Sequence, residues 1–289
     1  MVQLIQQVKL LNFPLLDYTT IKWLDKIGSG ATGDVYECSY QNQKYISKCF
    51  YASNYTTQNG YIYDALSELT IVSKLKHTDY CSKIYGVSYV PKSGIYFIMK
   101  HYNTIQNIYD YISSPCYWNK EYTMNRDLKC KITRSMCNAI QELHSLSIIH
   151  CDVKLKNMLY LEEEEKVILI DFGASLFLND QKYIYVDEEL GTRGYMSPEL
   201  YNGYGYLKSD IYSLGVSILE LWCGDIWIYE DDDMQICRNQ VLRSLRSLEK
   251  KEKGLGKILR SCLVNDVKKR PSINTLLHNL KDIVYPLLR

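Results

Sequence analysis

Almost no charge imbalance exists in this chain: 34 basic residues face 33 acidic ones, for a net charge of +1. Composition therefore gives nucleic-acid binding no support and points to no polyanionic partner. Ten cysteines are scattered without a C-x-x-C pair and without a Cys/His set at metal-ligand spacing. That excludes a zinc-finger framework and argues for reduced thiols over a disulfide scaffold. No apolar run approaches the ~18 residues that a membrane span needs. The opening MVQLIQQVKLLNFPLL lacks a basic start followed by an unbroken apolar core, so it is a poor signal peptide. With no glycine at position 2 it carries no myristoylation signal. Internal repeats and low-complexity linkers are missing too. These absences predict a soluble intracellular protein, cytoplasmic or nuclear, with no membrane partner.

What is present fits a globular chain. Its 289 residues, 46% apolar and 23% charged, suffice for one large domain or two lobes with sizeable cores. Tyrosine is abundant at 27 residues, and no mechanism follows from that. Residues 1–19 read as an extension. From 20 to about 51 the pattern is strand-like, with KYISKCFY after the turn YQNQ. Leu66, Leu69, Val72 and Leu75 recur at helical spacing, and GIYFIMKHY (94–102) is a short apolar strand entering a polar turn. Beyond residue 100 helical periods dominate. MCNAIQELHSL is amphipathic, SDIYSLGVSILELWCG is apolar enough for a buried helix, and two short helices around Pro271 close the chain. The acidic runs at 162–165 and 230–233 read as solvated turns.

Four stretches carry candidate chemistry. In IGSGATGDVYE, Gly28, Gly30 and Gly33 let a hairpin turn tightly and bring backbone N–H groups near phosphate oxygens. A strand follows, with no helix start, which argues against a dinucleotide turn; G-K-[ST] is missing, so this is not a Walker loop. Lys48 lies in an apolar strand, where an ammonium is costly unless paired, and Glu68 on the following helix is the obvious partner. IIHCDVKLKNML supplies Asp152, which could accept a hydroxyl proton, Lys154, which could neutralise a phosphoryl group, and Asn157, an amide able to bind Mg2+. ILIDFGAS puts Asp171 at the end of an apolar strand.

Taken in order, Gly28-x-Gly30-x-x-Gly33-x-Val35, Lys48, Glu68, His150-Cys151-Asp152-x-Lys154-x-x-Asn157 and Asp171-Phe172-Gly173 resemble the eukaryotic protein-kinase signature set. GTRGYMSPEL resembles the close of an activation segment, with Ser197-Pro198-Glu199 in the Ala-Pro-Glu place. Asp210 and Arg270 match two structural residues of the same family, the latter as partner of Glu199. The resemblance covers roughly residues 20–285. It implies an α+β, bilobal fold: a β-rich ATP-binding lobe with one main helix over 20–99, and a helical lobe with catalytic loop and activation segment over 100–289. It also implies transfer of the γ-phosphoryl group of ATP to protein hydroxyls, with Mg2+ or Mn2+ as cofactor, in a cleft between lobes. By resemblance Lys48, held by Glu68, contacts the ATP phosphates, and Asp171 and Asn157 hold metal. Asp152 orients and deprotonates the hydroxyl, and Lys154 stabilises the phosphoryl. Ile27, Val35, Ile46 and Leu159 would enclose the adenine, with Met99 as gatekeeper and Lys100 to Tyr102 as hinge. Lys154 together with Gly191-Thr192-x-x-Tyr195 resembles serine/threonine kinases, with Thr192 near the substrate.

Departures from the pattern are few. Ile46 is bulkier than the usual alanine, and Lys100 replaces a common hinge glutamate. Cys151 stands where many kinases have an arginine that meets an activation-segment phosphate. Between Ser175 and Thr192 there is no Ser or Thr, only Tyr183 and Tyr185 as hydroxyl acceptors, while Asp187, Glu188 and Glu189 already supply negative charge. The expectation is activity without activation-loop phosphorylation, with Cys151 a small apolar filler and His150 a packed structural residue. A pseudokinase scaffold is the competing reading, set against the presence of Lys48, Glu68, Asp152, Asn157 and Asp171. Kinase-like small-molecule phosphotransferases generally lack the framework of Glu199, Asp210 and Arg270.

Overall fold

The computed structural model describes residues 2–30, 33–51, 60–102, 107–113, 124–187, 190–224 and 234–284. The chain forms two compact units, Met1–Asn103 with Asp171–Gly173, and Thr104–Ile170 with Ala174–Arg289. The first is β-rich and the second helical, the α+β organisation that the sequence implies.

The first unit runs α1 (Val2–Leu10), β1 (Leu15–Leu16), β2 (Lys22–Gly30), β3 (Gly33–Tyr40), β4 (Gln43–Tyr51), α2 (Gly60–Lys74), β5 (Ile84–Val90) and β6 (Gly94–Lys100). One six-stranded sheet has the order β1-β5-β6-β4-β3-β2. All its pairings are antiparallel except β1 on β5. β6, GIYFIMK, is buried over all but its last residue, as expected of a β-branched and aromatic run in mid-sheet. Gly33 has φ +148°, and a Cβ there would run into the carbonyl of Cys49 on β4. Only glycine lets β3 approach β4 so closely. The rings of Phe50 and Phe97 meet at a tilt, 4.8 Å between centroids, within a core that also holds Ala65 and Leu69 of α2. Residues ahead of β2 join this interior: Leu4, Val8 and Phe13 are buried in the same cluster.

The second unit runs α3 (Ile108–Ser113), α4 (Arg126–Ser145), β7 (Ile148–Ile149), β8 (Met158–Leu161), β9 (Lys166–Leu169), β10 (Leu176–Phe177), β11 (Ile184–Tyr185), α5 (Pro198–Tyr201), β12 (Tyr204–Gly205), α6 (Leu207–Cys223), α7 (Met234–Lys251), α8 (Lys253–Cys262) and α9 (Ile273–Val284). α6 is buried on every side from Ser209 to Trp222, which is why its sequence shows no polar face. α4, α7 and α8 pack against it, and α9 packs on α4 and α8. Glu162 to Glu165 form an exposed turn between β8 and β9; the second acidic run, 230–233, lies outside the described residues. No helix among the described residues is long and apolar enough to cross a membrane.

A buried ion pair ties the C-terminal helices to the end of the 175–200 segment. Arg270, 1% exposed, donates through two nitrogens to both oxygens of Glu199, at 2.5 and 2.6 Å, and further to the carbonyls of Val264, Lys208 and Asn265. Glu199 also accepts from the hydroxyls of Ser197 and Ser209. Burial works against an ionised Glu199, yet the guanidinium and hydroxyls prevail and hold its carboxyl below the usual range. Breaking such a pair strands a buried charge. Arg270→Met is expected to cost about 3–5 kcal/mol in urea unfolding. Because folding favours the ionised carboxylate, its stabilisation is complete above the unfolded glutamate pKa of about 4.3 and is lost as pH falls through the lower folded value. The stability gap between wild type and Glu199→Gln should therefore close as the pH drops below about 4, measured by denaturation at a series of pH values.

Candidate functional site

The candidate residues fall into two sets, one in each unit. In the first unit, β2 and β3 form the glycine hairpin, with Gly28 opposite Val35 and Gly30 opposite Gly33; Ala31 and Thr32 lie outside the described residues. Ile27 is exposed on β2. On β4, Lys48 pairs in register with Val35 on one side and Phe97 on the other, and Ile46 pairs with Met99, which is buried. Lys100 ends β6, and its Nζ stands 5.0 Å over the ring of Tyr102.

Lys48 is the centre of this set. It is 6% exposed and its Nζ donates to Glu68 Oε2 at 2.7 Å and to Asp171 Oδ1 at 2.6 Å. Burial alone would discharge the ammonium, but the charges of Glu68 and Asp171 win and hold its pKa above the usual lysine range. α2 can present Glu68 inward because Ala65, Leu69 and Val72 bury its neighbouring positions. Asp171 sits at φ 64°, in the left-handed region, with its carboxylate partly exposed. A strained non-glycine residue two positions past Leu169, the last residue of a short strand (Lys166–Leu169), aims a carboxylate that ordinary strand geometry would not.

In the second unit, the loop after β7 brings Asp152, Lys154, Asn157 and Thr192 together. Lys154 Nζ lies 2.8 Å from Asp152 Oδ2 and donates to Thr192 Oγ1 at 2.6 Å; that hydroxyl donates to Asp152 Oδ1 at 2.7 Å. Asn157 Nδ2 donates to both the carbonyl and Oδ2 of Asp152, each at 2.9 Å. Both oxygens of one carboxylate are thus fixed by three side chains. Leu159 follows on β8, opposite Ile168.

The loop itself is held from beneath by Asp210, which is fully buried. Its two oxygens accept the backbone N–H of His150 at 2.8 Å and of Cys151 at 3.0 Å, and His144 Nε2 lies 2.9 Å from Oδ2. Cys151 has φ 66°, so the bonds to Asp210 secure a turn that a β-carbon disfavours. His150 is fully buried, and Cys151, 2% exposed, lies in an apolar cluster with Ile149, Leu178, Met196 and Leu200. Burial raises the Cys151 thiol well above its ordinary pKa, the condition of an inert filler and not of a redox switch. The partly buried Ile184 and Leu190 pack on the same cluster. β11 pairs antiparallel with β12, and Tyr183 and Tyr185 lie against the rings of Tyr204 and Tyr206. Glu188 and Glu189 lie outside the described residues.

A family model for the protein kinase domain matches residues 21–280. The chain belongs to the protein kinase domain family. Over 93% of its length this kinase domain is 28% identical to a Dictyostelium discoideum protein named a probable serine/threonine-protein kinase, covering 28% of that protein. It is 29% identical over 59% of its length to the serine/threonine-protein kinase ppk16 of Schizosaccharomyces pombe, covering 25% of it. Over 68% of its length it is 31% identical to the LRR receptor-like serine/threonine-protein kinase SIK1 of rice, covering 20% of it. The kinase domain thus spans between a fifth and three tenths of the length of these relatives.

Sequence reasoning named Thr192 and Tyr195 but missed their hydrogen-bond links, and it missed Glu220 and His144 altogether. The Thr192 hydroxyl links Asp152 to Lys154, a bridge that nothing in the local spelling announces. Tyr195 O–H donates to buried Glu220 on α6 at 2.9 and 2.8 Å, and Glu220 had been hidden within an apolar helix. The His144 contact to Asp210 could have been found from the helical spacing that buries Ile140 and Leu143 beside it. Replacing Asp210 by alanine would leave two buried N–H groups without acceptors, at about 1–3 kcal/mol each. Asp210→Ala is expected to unfold at distinctly lower urea concentration than wild type, and Asp210→Asn, which keeps one acceptor, should fall between them.

Proposed function

We propose that this kinase domain transfers the γ-phosphoryl group of ATP to serine and threonine hydroxyls of protein substrates. The observation that carries the reading is the fixed carboxylate of Asp152, tied to Lys154, Thr192 and Asn157. In this reading residues 20–99 serve the nucleotide and residues 100–289 the hydroxyl substrate. Asp152 accepts the proton of the attacking hydroxyl as its oxygen bonds to phosphorus and the bond from phosphorus to ADP breaks. Lys154 offsets negative charge on the phosphoryl oxygens, and Thr192 keeps acid and base in register. Lys48 binds the phosphates, and Glu68 prevents the ammonium from turning away. Ile27, Val35, Ile46 and Leu159 contribute apolar surface to the adenine, with Met99 and Tyr102 at its edge.

In this reading Asp171 offers a carboxylate and Asn157 an amide oxygen, both hard donors of the kind a divalent cation takes alongside phosphate oxygens and water. The same donors accept Mn2+ in place of Mg2+. When bound, the ion neutralises phosphate charge. The Ser/Thr assignment is supported by Lys154 two residues after Asp152, by Thr192, and by the names of the relatives. A scaffold without activity would be favoured by loss of one of Lys48, Glu68, Asp152, Asn157 or Asp171, and all five are present.

Activity without activation-loop phosphorylation is supported by the way the 176–192 segment is held. An arginine at position 151 would need a phosphate to satisfy its charge; Cys151 instead joins the apolar cluster that Ile184 and Leu190 pack on. β11–β12 pairing and the tyrosine rings add fixed points. Purified protein with Mg2+ and ATP should label Ser and Thr of a degenerate peptide array, and Asp152→Asn should lower kcat by about 10²–10⁴. Labelling mainly on tyrosine would refute the acceptor assignment. Phosphatase treatment, and the Tyr183→Phe and Tyr185→Phe variants, should change kcat/KM by less than about threefold, under 1 kcal/mol of barrier. A large loss on phosphatase treatment that autophosphorylation restores would refute the independence.

A further inference from the structure

Residues 2–16 do more than lead into the sheet. α1 has nine residues, too few to hold a helix in water by itself. Its form therefore comes from what it packs on. Leu4 and Val8, one turn apart on the same face, are both fully buried in the cluster that includes Tyr61, Ile62, Ala65 and Leu69 of α2.

The end of α1 is closed by a Schellman motif. Asn12 adopts φ 54°, Phe13 N–H donates to Val8 O and Asn12 N–H donates to Lys9 O, both at 3.0 Å. Two carbonyls at this corner, Leu11 O and Asn12 O, accept from Lys76 Nζ at 2.7 and 2.9 Å, and the same ammonium stands 4.3 Å from the centroid of Phe13. Lys76 lies just past the end of α2. The chain then returns to the sheet: Val87 N–H donates to Pro14 O at 2.9 Å, and Leu15–Leu16 pair with Val87 and Ser88 of β5. Residues 2–16 are therefore a strap fastened to α2 along a buried face, to its C-terminal end by an ammonium, and to the sheet by a strand.

We propose that this strap positions Glu68 against Lys48 by fixing α2, with Val8, Phe13 and Lys76 as positioning residues. α2 carries Glu68, so the helix cannot shift away from the sheet without parting Leu4 and Val8 from the cluster and Lys76 from its two carbonyls. The inference rests on the kinase reading for what Glu68 does, and on contacts within the first unit for what holds the helix.

The test uses the full chain with Lys76→Met, which keeps an apolar stem over Phe13 and removes both hydrogen bonds, and Val8→Ala as a second variant. Amide hydrogen exchange across Gly60–Lys74 should accelerate by about tenfold or more in Lys76→Met, with β4 and β6 unchanged. The KM for ATP should rise by about five- to tenfold, because the population with Glu68 in place falls, and Lys76→Arg should restore both readings. In a Glu68→Gln background, Lys76→Met should add nothing further to the ATP KM, the non-additivity of residues acting through one group. A merely structural role would lower the melting temperature and leave exchange in α2 and the ATP KM in their wild-type ratio to the rest of the chain; that result overturns the proposal, as does full additivity with Glu68→Gln. Should Val8→Ala not fold, the partly exposed Lys76 still decides. Should the wild type transfer no phosphoryl group, the kinase reading falls, while exchange in α2 still decides whether the strap holds the helix.

Discussion

A carboxylate taken wholly out of water must be met by donors, and Asp210 is met by the peptide N–H groups of His150 and Cys151 and by His144. Almost everything distinctive in the second unit follows from that requirement. The backbone at Cys151 takes a left-handed conformation, and the chain leaves the turn with Asp152 within reach of Lys154, Asn157 and Thr192. α6 supplies the anchoring group because it is buried all round, so a polar side chain on it has no escape to solvent. A rigid buried helix thereby sets the orientation of a loop, which is how a chemically demanding constellation can stand on an irregular segment.

The same logic recurs with ammonium and guanidinium groups. Lys48 stays charged in an apolar sheet because two carboxylates flank it, and the buried guanidinium of Arg270 is met by both oxygens of Glu199. Neither pair is a source of large net stability, since desolvation cancels much of the attraction. Each is a geometric constraint: removing one partner is costly, so the other is held where it is.

How much of this was legible in the sequence depended on whether the constraint is local. An ammonium in an apolar strand demands a carboxylate, so Lys48 and Glu68 could be paired from the sequence; that Gly33 lies close on the Cys49 carbonyl was not foreseen, because the glycines were read for phosphate and not for a neighbouring strand. The two-part α+β organisation and the buried character of α6 were readable from periodicity. The link through Thr192 was not, because a hydroxyl forty residues from Asp152 has no local signature. Glu220 was masked by the apolar run around it. The N-terminal residues read as an extension because nine residues of modest amphipathicity gave no sign of a partner, and their burial comes only from α2 and the sheet.

That dependence sets an order of events during synthesis. Val2–Leu10 are made before the surfaces they settle on, which are contributed by residues 61–69 and 87–97. Until the chain has been made as far as residue 97, α1 lacks the surface it packs on, and it is too short to persist unaided. Residues 2–10 are thus among the last of the first unit to find their place, a delay built in by long-range contacts.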